Sequence, residues 1–316
     1  MKKLSILAAL LLLPCFAFSF ECPQKSSQEK PEDCPWAGAA RLLHETADKG
    51  AALEPVFSAY APGILKQLDA DRANYAALKL WGESINYDEL ANGEIVHPGI
   101  LGFIAGRLGA AQPRGKIMHA GLEHTYGYLF SLLPTKFGFK RARWVRPDIE
   151  DGLGLPRGSA GPSPSEGTLL ANITCLAGGI ALKDDPAAMS LLARVSSGCG
   201  GAVRVFVSRG TARMRLTETV ALSGGRRVSL RTDFVPFTKS SGGNTHLLIY
   251  SVYDSAAGQA YLVSAFPVNA GFVQSALAPA GLGAKKPVQT RYNAFVEGLT
   301  GAGKFTGARE SAQLEK

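Results

Sequence analysis

The side chains best suited to acid–base chemistry lie close together near the middle of the chain. His119, Glu123, His124 and Tyr126 fall within one short segment. An imidazole titrates near neutral pH and a carboxylate can orient it, so this set is the candidate catalytic group, with a histidine as general acid or base. The two histidines point to different sides of a helix or a strand, so a bend is needed to bring them together with Glu123. The alternative is that they are structural or surface histidines.

The segment from residue 124 to 147 combines basic and aromatic side chains and contains no acid. Cations hold an anion while flat rings stack on sugar faces, so the pattern predicts an anionic glycan or cell-envelope polymer as partner. A hairpin with an aromatic core face and a solvated basic face would give the same alternation, so both interpretations stay open. The candidate ligand-binding residues are Tyr126, Tyr128, Lys140, Arg141, Arg143 and Trp144.

Motifs for other chemistries are absent or incomplete. The sequence has no Gly-x-Ser-x-Gly nucleophile turn and no His-Glu-x-x-His pair. A stretch at residues 298–304 resembles a phosphate loop, but Phe305 stands where a magnesium-binding hydroxyl is required. The histidine spacing does not match a zinc site either. We therefore expect no metal site and no cofactor.

The N-terminus has the layout of a secretory signal. Lys2 and Lys3 precede an apolar run, and the small residues Ala17 and Ser19 follow at alternate positions. This pattern predicts a signal peptide at residues 1–19 and an extracytoplasmic protein, periplasmic or secreted. No second long apolar run occurs, so no transmembrane segment is expected after cleavage.

Removal of the leader leaves four cysteines, which are Cys22, Cys34, Cys175 and Cys199. An even number in an oxidising compartment predicts disulfides. Three pairings are possible. The local ones, Cys22 with Cys34 and Cys175 with Cys199, are favoured because each closes a short loop.

The composition of the 316 residues, 46% hydrophobic and 19% charged, excludes collagen-like, coiled-coil and disordered proteins. A polar tether is expected at residues 20–35. Apolar residues at helical spacing, with Pro62 and Pro98 as start signals, predict a helical unit over residues 36–112.

The remainder is predicted to be a mainly antiparallel β unit over residues 113–289. Alternation indicates a strand at 124–132 with a returning arm from Phe139 to Val145, and further strands at 203–207 and 213–222. A long Gly/Pro loop is expected at residues 151–167. Residues 290–316 are predicted to be a short helix and a flexible tail. Helices followed by strands give an α+β fold class.

Two classes of function fit these features. The first is a noncatalytic exported binding or envelope-associated protein for an anionic or sugar-containing ligand. The second is an exported hydrolase that uses the region of His119, Glu123 and His124. The lack of a recognisable nucleophile favours binding, whereas the long loop and the local density of His, Tyr and Arg favour hydrolysis. Without Lys2 and Lys3 of the leader, the net charge of +8 becomes +6, which is modest for this length, and the predicted compartment also argues against a nucleic-acid partner.

Overall fold

The computed structural model describes residues 35–88, 91–135, 138–143, 147–155, 166–209, 212–222, 227–254, 258–277 and 305–315. Helices form the N-terminal part and an antiparallel five-stranded sheet follows, which confirms the α+β prediction. The predicted leader lies outside these residues, as does the tether up to Cys34.

Helices and one small ribbon build the N-terminal part. Pro62 and Pro98 each occupy the first position of a helix as predicted, because the fixed φ of proline suits that position and its missing N–H is not needed there. Gly109 ends the last of these helices with φ of 70°, the left-handed conformation that glycine adopts at little cost. The elements are α1 (Pro35–Asp48), α2 (Glu54–Tyr60), α3 (Pro62–Ala73), α4 (Tyr75–Lys79) and α5 (Pro98–Leu108), with β1 (Glu83–Ile85) paired to β2 (Ile117–His119).

The predicted strand at residues 124–132 is wrong. Leu122–Gly127 forms a π-helix, and α-helical turns flank it. All six residues of the π-helix are buried, so every side of the segment faces protein and the alternation of side chains carries no information about a solvent face. The predicted returning arm is also absent, because the short ribbon of β3 (Pro134–Thr135) and β4 (Gly138–Phe139) leads into a 3-10 turn, Lys140–Arg143.

Four more helices lie in the region predicted to be mainly β. They are α6 (Pro147–Leu153), α7 (Leu169–Ala181), α8 (Pro186–Val195) and α9 (Gly201–Ser208). Thr168 caps α7, since its Oγ1 accepts a hydrogen bond of 3.1 Å from the amide of Ala171, and Asp185 caps α8 in the same way. Within the predicted loop at 151–167, the first residues belong to α6, and residues 156–165 lie outside the described part.

The predicted strand at residues 203–207 is wrong, because these residues lie in α9. Val203, Phe206 and Val207 pack on the core at helical spacing, while Val205 remains 48% exposed. The alternation of valines therefore does not mark the buried face. Gly179 in α7 permits this packing, because a Cβ there would lie 2.6 Å from Cγ1 of Val207.

The sheet confirms the predicted antiparallel meander. Its strands are β5 (Met214–Leu222), β6 (Arg227–Thr238), β7 (Asn244–Asp254) and β8 (Gln259–Val268), followed by α10 (Ala270–Leu277) and a last strand, β9 (Phe305–Glu315). The strand order is β8-β7-β6-β5-β9. The expected flexible tail is thus corrected for residues 305–315, which pair with β5 because the backbone groups of its outer edge need partners. The helix predicted near residues 292–299 lies outside the described residues.

Helices and sheet share one hydrophobic core. The amide of Leu262 on β8 donates to the carbonyl of Leu80 at 2.7 Å, and the amide of Gly82 donates to the carbonyl of Leu262 at 2.8 Å. Between them, the indole of Trp81 donates to Oγ1 of Thr174 on α7 at 2.8 Å. This segment therefore ties the sheet edge to α7. In the described ranges, no helix is both long enough and apolar enough to cross a membrane.

Candidate functional site

The predicted catalytic residues Glu123 and His124 are buried in the π-helix, where their exposed fractions are 0% and 2%. The hydroxyl of Ser84 on β1 donates to Oε2 of Glu123. Nδ1 of His124 lies 3.6 Å from the same oxygen and 3.1 Å from the carbonyl oxygen of Ala120. The structure therefore brings these two candidates together, but it does so away from solvent.

Burial also sets the protonation of this pair. Desolvation raises the pKa of Glu123 to about 8, although the Ser84 hydroxyl and the charge of Lys140 act in the opposite direction. The carboxyl group is therefore mostly neutral near pH 7. A carbonyl oxygen can only accept a hydrogen bond, so the contact with Ala120 requires the proton of His124 on Nδ1. A neutral carboxyl group on Glu123 next to an imidazole held by the Ala120 carbonyl is consistent with a structural role for both residues.

The other two catalytic candidates point elsewhere. Nε2 of His119 lies 3.0 Å from the carbonyl oxygen of Leu78, and burial lowers the pKa of this histidine to about 4, so the ring is neutral at physiological pH. Tyr126 is completely buried and donates its hydroxyl to Oδ2 of Asp71 on α3. Tyr126 thus belongs to a second polar group, which is centred on Asp71.

The expected solvated basic face is wrong for Lys140 and Arg141, which are 4% and 1% exposed. Nζ of Lys140 lies 3.1 Å from Oδ2 of Asp88 and 5.2 Å from the ring centre of Tyr128. The 3-10 turn directs these cations into the protein, where they contact acceptors and aromatic rings.

Arg141 is the largest of the fully buried side chains in the described part. Its Nη1 donates to the carbonyl of Ser131 at 2.9 Å, and its guanidinium carbon lies 3.9 Å from the ring centre of Phe139. Of the remaining ligand-binding candidates, Arg143 ends the 3-10 turn but its side chain is outside the described part, as is the whole of Trp144.

A solvent-accessible cavity of about 500 Å³ opens between three helical segments. We call it the Asp71 cavity. Its polar lining consists of Asp71 and Asn74 at the end of α3, Thr168 before α7, and Arg194, Ser197 and Gly198 at the end of α8 and the turn that follows. This volume suits a ligand the size of one or two sugar rings.

Asp71 forms the floor of the cavity and is only 1% exposed. Oδ1 accepts a hydrogen bond of 2.5 Å from Oγ1 of Thr168, and Oδ2 accepts the hydroxyl of Tyr126. Burial raises the pKa of Asp71 to about 6, and the two hydroxyls only partly offset this effect. The charge of Asp71 is therefore sensitive to pH in the weakly acidic range.

Three other lining side chains have polar groups available to a ligand. Among the residues that the structure describes, the side chains of Asn74, Arg194 and Ser197 make no hydrogen bond or ion pair. Arg204 provides a contrast, since it donates to the carbonyls of Ser196 and Cys199 at 2.8 and 2.6 Å and thereby supports the cavity wall. Arg194 is thus an exposed cation that lines the cavity at the last turn of α8.

A disulfide joins two walls of the cavity. Cys175 in α7 and Cys199, next to Gly198, are bonded, with their Cα atoms 6.4 Å apart, which confirms this predicted pair. The walls also meet at Gly167, whose φ is 70° and where a Cβ would lie 2.5 Å from the carbonyl oxygen of Gly198. The predicted pair of Cys22 and Cys34 lies outside the described residues.

The Asp71 cavity is not apparent from the sequence, because its polar residues are far apart in the chain. One signal was present. Ile64, Leu68 and Asp71 are spaced i, i+4, i+7 and all face the core, so a carboxylate interrupts an apolar helix stripe. Thr168 before the apolar run of α7 was a second signal, for a helix cap. Neither signal indicates that Arg194 is nearby.

Replacing Asp71 with asparagine should remove a pH dependence of stability. The pKa of Asp71 is about 6 in the folded protein against an ordinary value of 3.8. The folded state therefore binds the proton more tightly, and the contribution of this group to stability is complete below about pH 4 and lost as the pH rises through 6. A difference of two pH units corresponds to about 3 kcal/mol. The free energy of unfolding of Asp71→Asn minus that of wild type should rise by about this amount between pH 4 and pH 7.

Denaturant titrations of both proteins at several pH values measure this difference. His119, whose pKa is lowered, gives a slope of opposite sign, but it is present in both proteins and cancels. A stability difference that does not change with pH would show that Asp71 has an ordinary pKa.

Comparison with known proteins identifies no relative of this chain. The chain has no significant match among family models, curated proteins or solved structures. Within the described ranges, no group of three or more His, Cys, Asp or Glu side chains could hold a metal ion.

Proposed function

We propose that this protein is a noncatalytic exported binding protein that holds an anionic sugar in the Asp71 cavity. The observation that carries the proposal is Arg194, a cation at a cavity of about 500 Å³ that has no partner in the described part of the chain. The planar guanidinium group matches a carboxylate with two parallel hydrogen bonds. The amide of Asn74 and the hydroxyl of Ser197 can serve the sugar hydroxyls.

The proposal keeps the ligand class expected from the sequence but changes its location. Lys140 and Arg141 are buried and engaged with the fold, so they support a structural role. Tyr126 is the predicted ligand-binding residue that remains connected to the site, because its hydroxyl holds the carboxyl group of Asp71. A uronic acid, a sugar that bears one carboxylate, is the simplest ligand of this class.

An extracytoplasmic location is part of the proposal. Disulfides persist in oxidising compartments, so the bond between Cys175 and Cys199 supports export, as does the leader layout of residues 1–19. Hydrolysis by His119, Glu123 and His124 has less support. Glu123 and His124 are sealed from solvent, and the Nε2 of His119 is directed to a backbone carbonyl.

Arg194→Gln should weaken the binding of D-galacturonate about tenfold, because a charge-assisted hydrogen bond contributes about 1.5 kcal/mol or more. Calorimetric titration of wild type and variant at about pH 5, where the carboxyl group of Asp71 is mostly neutral and does not repel the ligand, measures the change. Arg41→Gln is the matched control, since Arg41 is also exposed but lies on α1. D-galactose, which has the same ring without the carboxylate, should bind wild type more weakly than galacturonate.

Two outcomes would contradict the proposed function. One is the absence of galacturonate binding to wild type. The other is equal affinity of wild type and Arg194→Gln for galacturonate, which would mean that the carboxylate is not held by this cation.

A further inference from the structure

Tyr75 is an exposed aromatic residue that is next in sequence to a residue lining the Asp71 cavity. Its exposed fraction is 56%. Tyr75 is the first residue of α4 and directly follows Asn74, which lines the cavity. A large ring that is mostly in water at this position is available to contact a ligand that extends out of the cavity.

A cation lies next to this ring. Nζ of Lys79, one helical turn along α4, is 4.9 Å from the ring centre of Tyr75. The amine occupies one side of the ring and adds positive charge there. A flat surface combined with a cation fits a sugar ring that carries a carboxylate.

The packing of α4 relates these residues to Arg194. Helix α4 packs against α8, and Arg194 lies in the last turn of α8. Asn74, at the start of α4, and Arg194 both line the cavity. The N-terminal end of α4, which carries Tyr75, is therefore its cavity end.

We propose that Tyr75 and Lys79 form a second subsite, and that the natural ligand is a linear acidic glycan rather than a free sugar acid. This inference rests on the proposed function. The cavity accommodates one or two sugar rings, with a carboxylate on Arg194, and the next unit of the chain lies on the open face of Tyr75. Arg194 then holds a carboxylate in the cavity, and Lys79, on the other face of the Tyr75 ring, adds a positive charge near the second unit without contacting it.

The test compares D-galacturonate with linear tetragalacturonate by calorimetric titration. Wild type should bind the tetramer about tenfold more tightly than the monomer, a difference of about 1.4 kcal/mol. Tyr75→Ala should lose this gain and keep the affinity for the monomer. Tyr60→Ala is the matched control, because Tyr60 on α2 is 55% exposed and neither of its chain neighbours lines the cavity, and it should keep the gain.

The outcomes separate the two proposals. If wild type binds neither sugar, the proposed function is wrong and this inference falls with it. If the monomer binds but the tetramer binds no more tightly, or if the gain survives in Tyr75→Ala, the second subsite is wrong and the proposed function stands.

Discussion

Replacing Arg141 with alanine should lower the free energy of unfolding by about 3 kcal/mol. A buried acceptor that loses its donor typically costs about 1–3 kcal/mol. Here the carbonyl of Ser131 would lose its donor at 2.9 Å, and the ring of Phe139 would lose the guanidinium group that covers it. The vacated volume of a side chain that is 1% exposed adds to the loss.

Denaturant titrations of Arg141→Ala and of Arg41→Ala compare their free energies of unfolding. Arg41 is exposed, so its replacement should change the stability by no more than about 0.5 kcal/mol. Equal stabilities for the two variants would show that Arg141 lies on a solvated surface, as the alternation of charges in the sequence suggested. The ligand-binding hypothesis for the segment after Phe139 would then regain its basis.

Loss of the disulfide between Cys175 and Cys199 should lower the free energy of unfolding by about 3.5 kcal/mol. The bond closes a loop with a sequence separation of 24 residues, and closure of a loop of this length removes that much entropy from the unfolded chain. The double variant Cys175→Ser with Cys199→Ser measures the effect without a reductant. Because Cys199 adjoins Gly198 at the cavity wall, the variant should also bind galacturonate more weakly.

The reductant provides the control for this experiment. Treating wild type with a phosphine reductant should reproduce the loss seen in the double variant. Any additional loss that the reductant causes in the double variant would report on the predicted pair of Cys22 and Cys34. A double variant as stable as oxidised wild type would contradict the assignment.

Sequence signals succeeded where local chemistry decides the structure. Proline at the first helical position marked the starts of α3 and α5, and turn residues such as Gly242 and Gly243 marked the meander. Proline fixes φ and glycine permits the positive φ that these turns need, so neither signal depends on the rest of the fold. The pairing of Cys175 with Cys199 was predictable because it closes a short loop.

The sequence-based predictions failed where tertiary burial decides the structure. The π-helix Leu122–Gly127 is enclosed by protein on all sides, so its side chains show no pattern of inside and outside. Lys140 and Arg141 were expected in water because cations usually are, and only the contacts made by the 3-10 turn explain their burial. The strand Phe305–Glu315 follows from the open edge of β5, which residues 305–315 do not reveal on their own.

The Asp71 cavity depends both on local sequence signals and on tertiary packing. The cap at Thr168 and the acid on the apolar stripe of α3 are local signals, and they identify two sides of the cavity separately. Their meeting depends on the packing of α3 against α7, and the position of Arg194 depends on the packing of α7 against α8. No spacing rule in one sequence encodes those contacts, so the sequence alone does not reveal the proposed site.

The most direct test of the central claim is a crystal structure of the protein with D-galacturonate. We predict that the sugar lies in the Asp71 cavity, with its carboxylate within about 3 Å of the guanidinium nitrogens of Arg194 and its hydroxyls on Asn74 and Ser197. A sugar bound elsewhere on the protein, or one bound in the cavity with its carboxylate turned away from Arg194, would contradict the account.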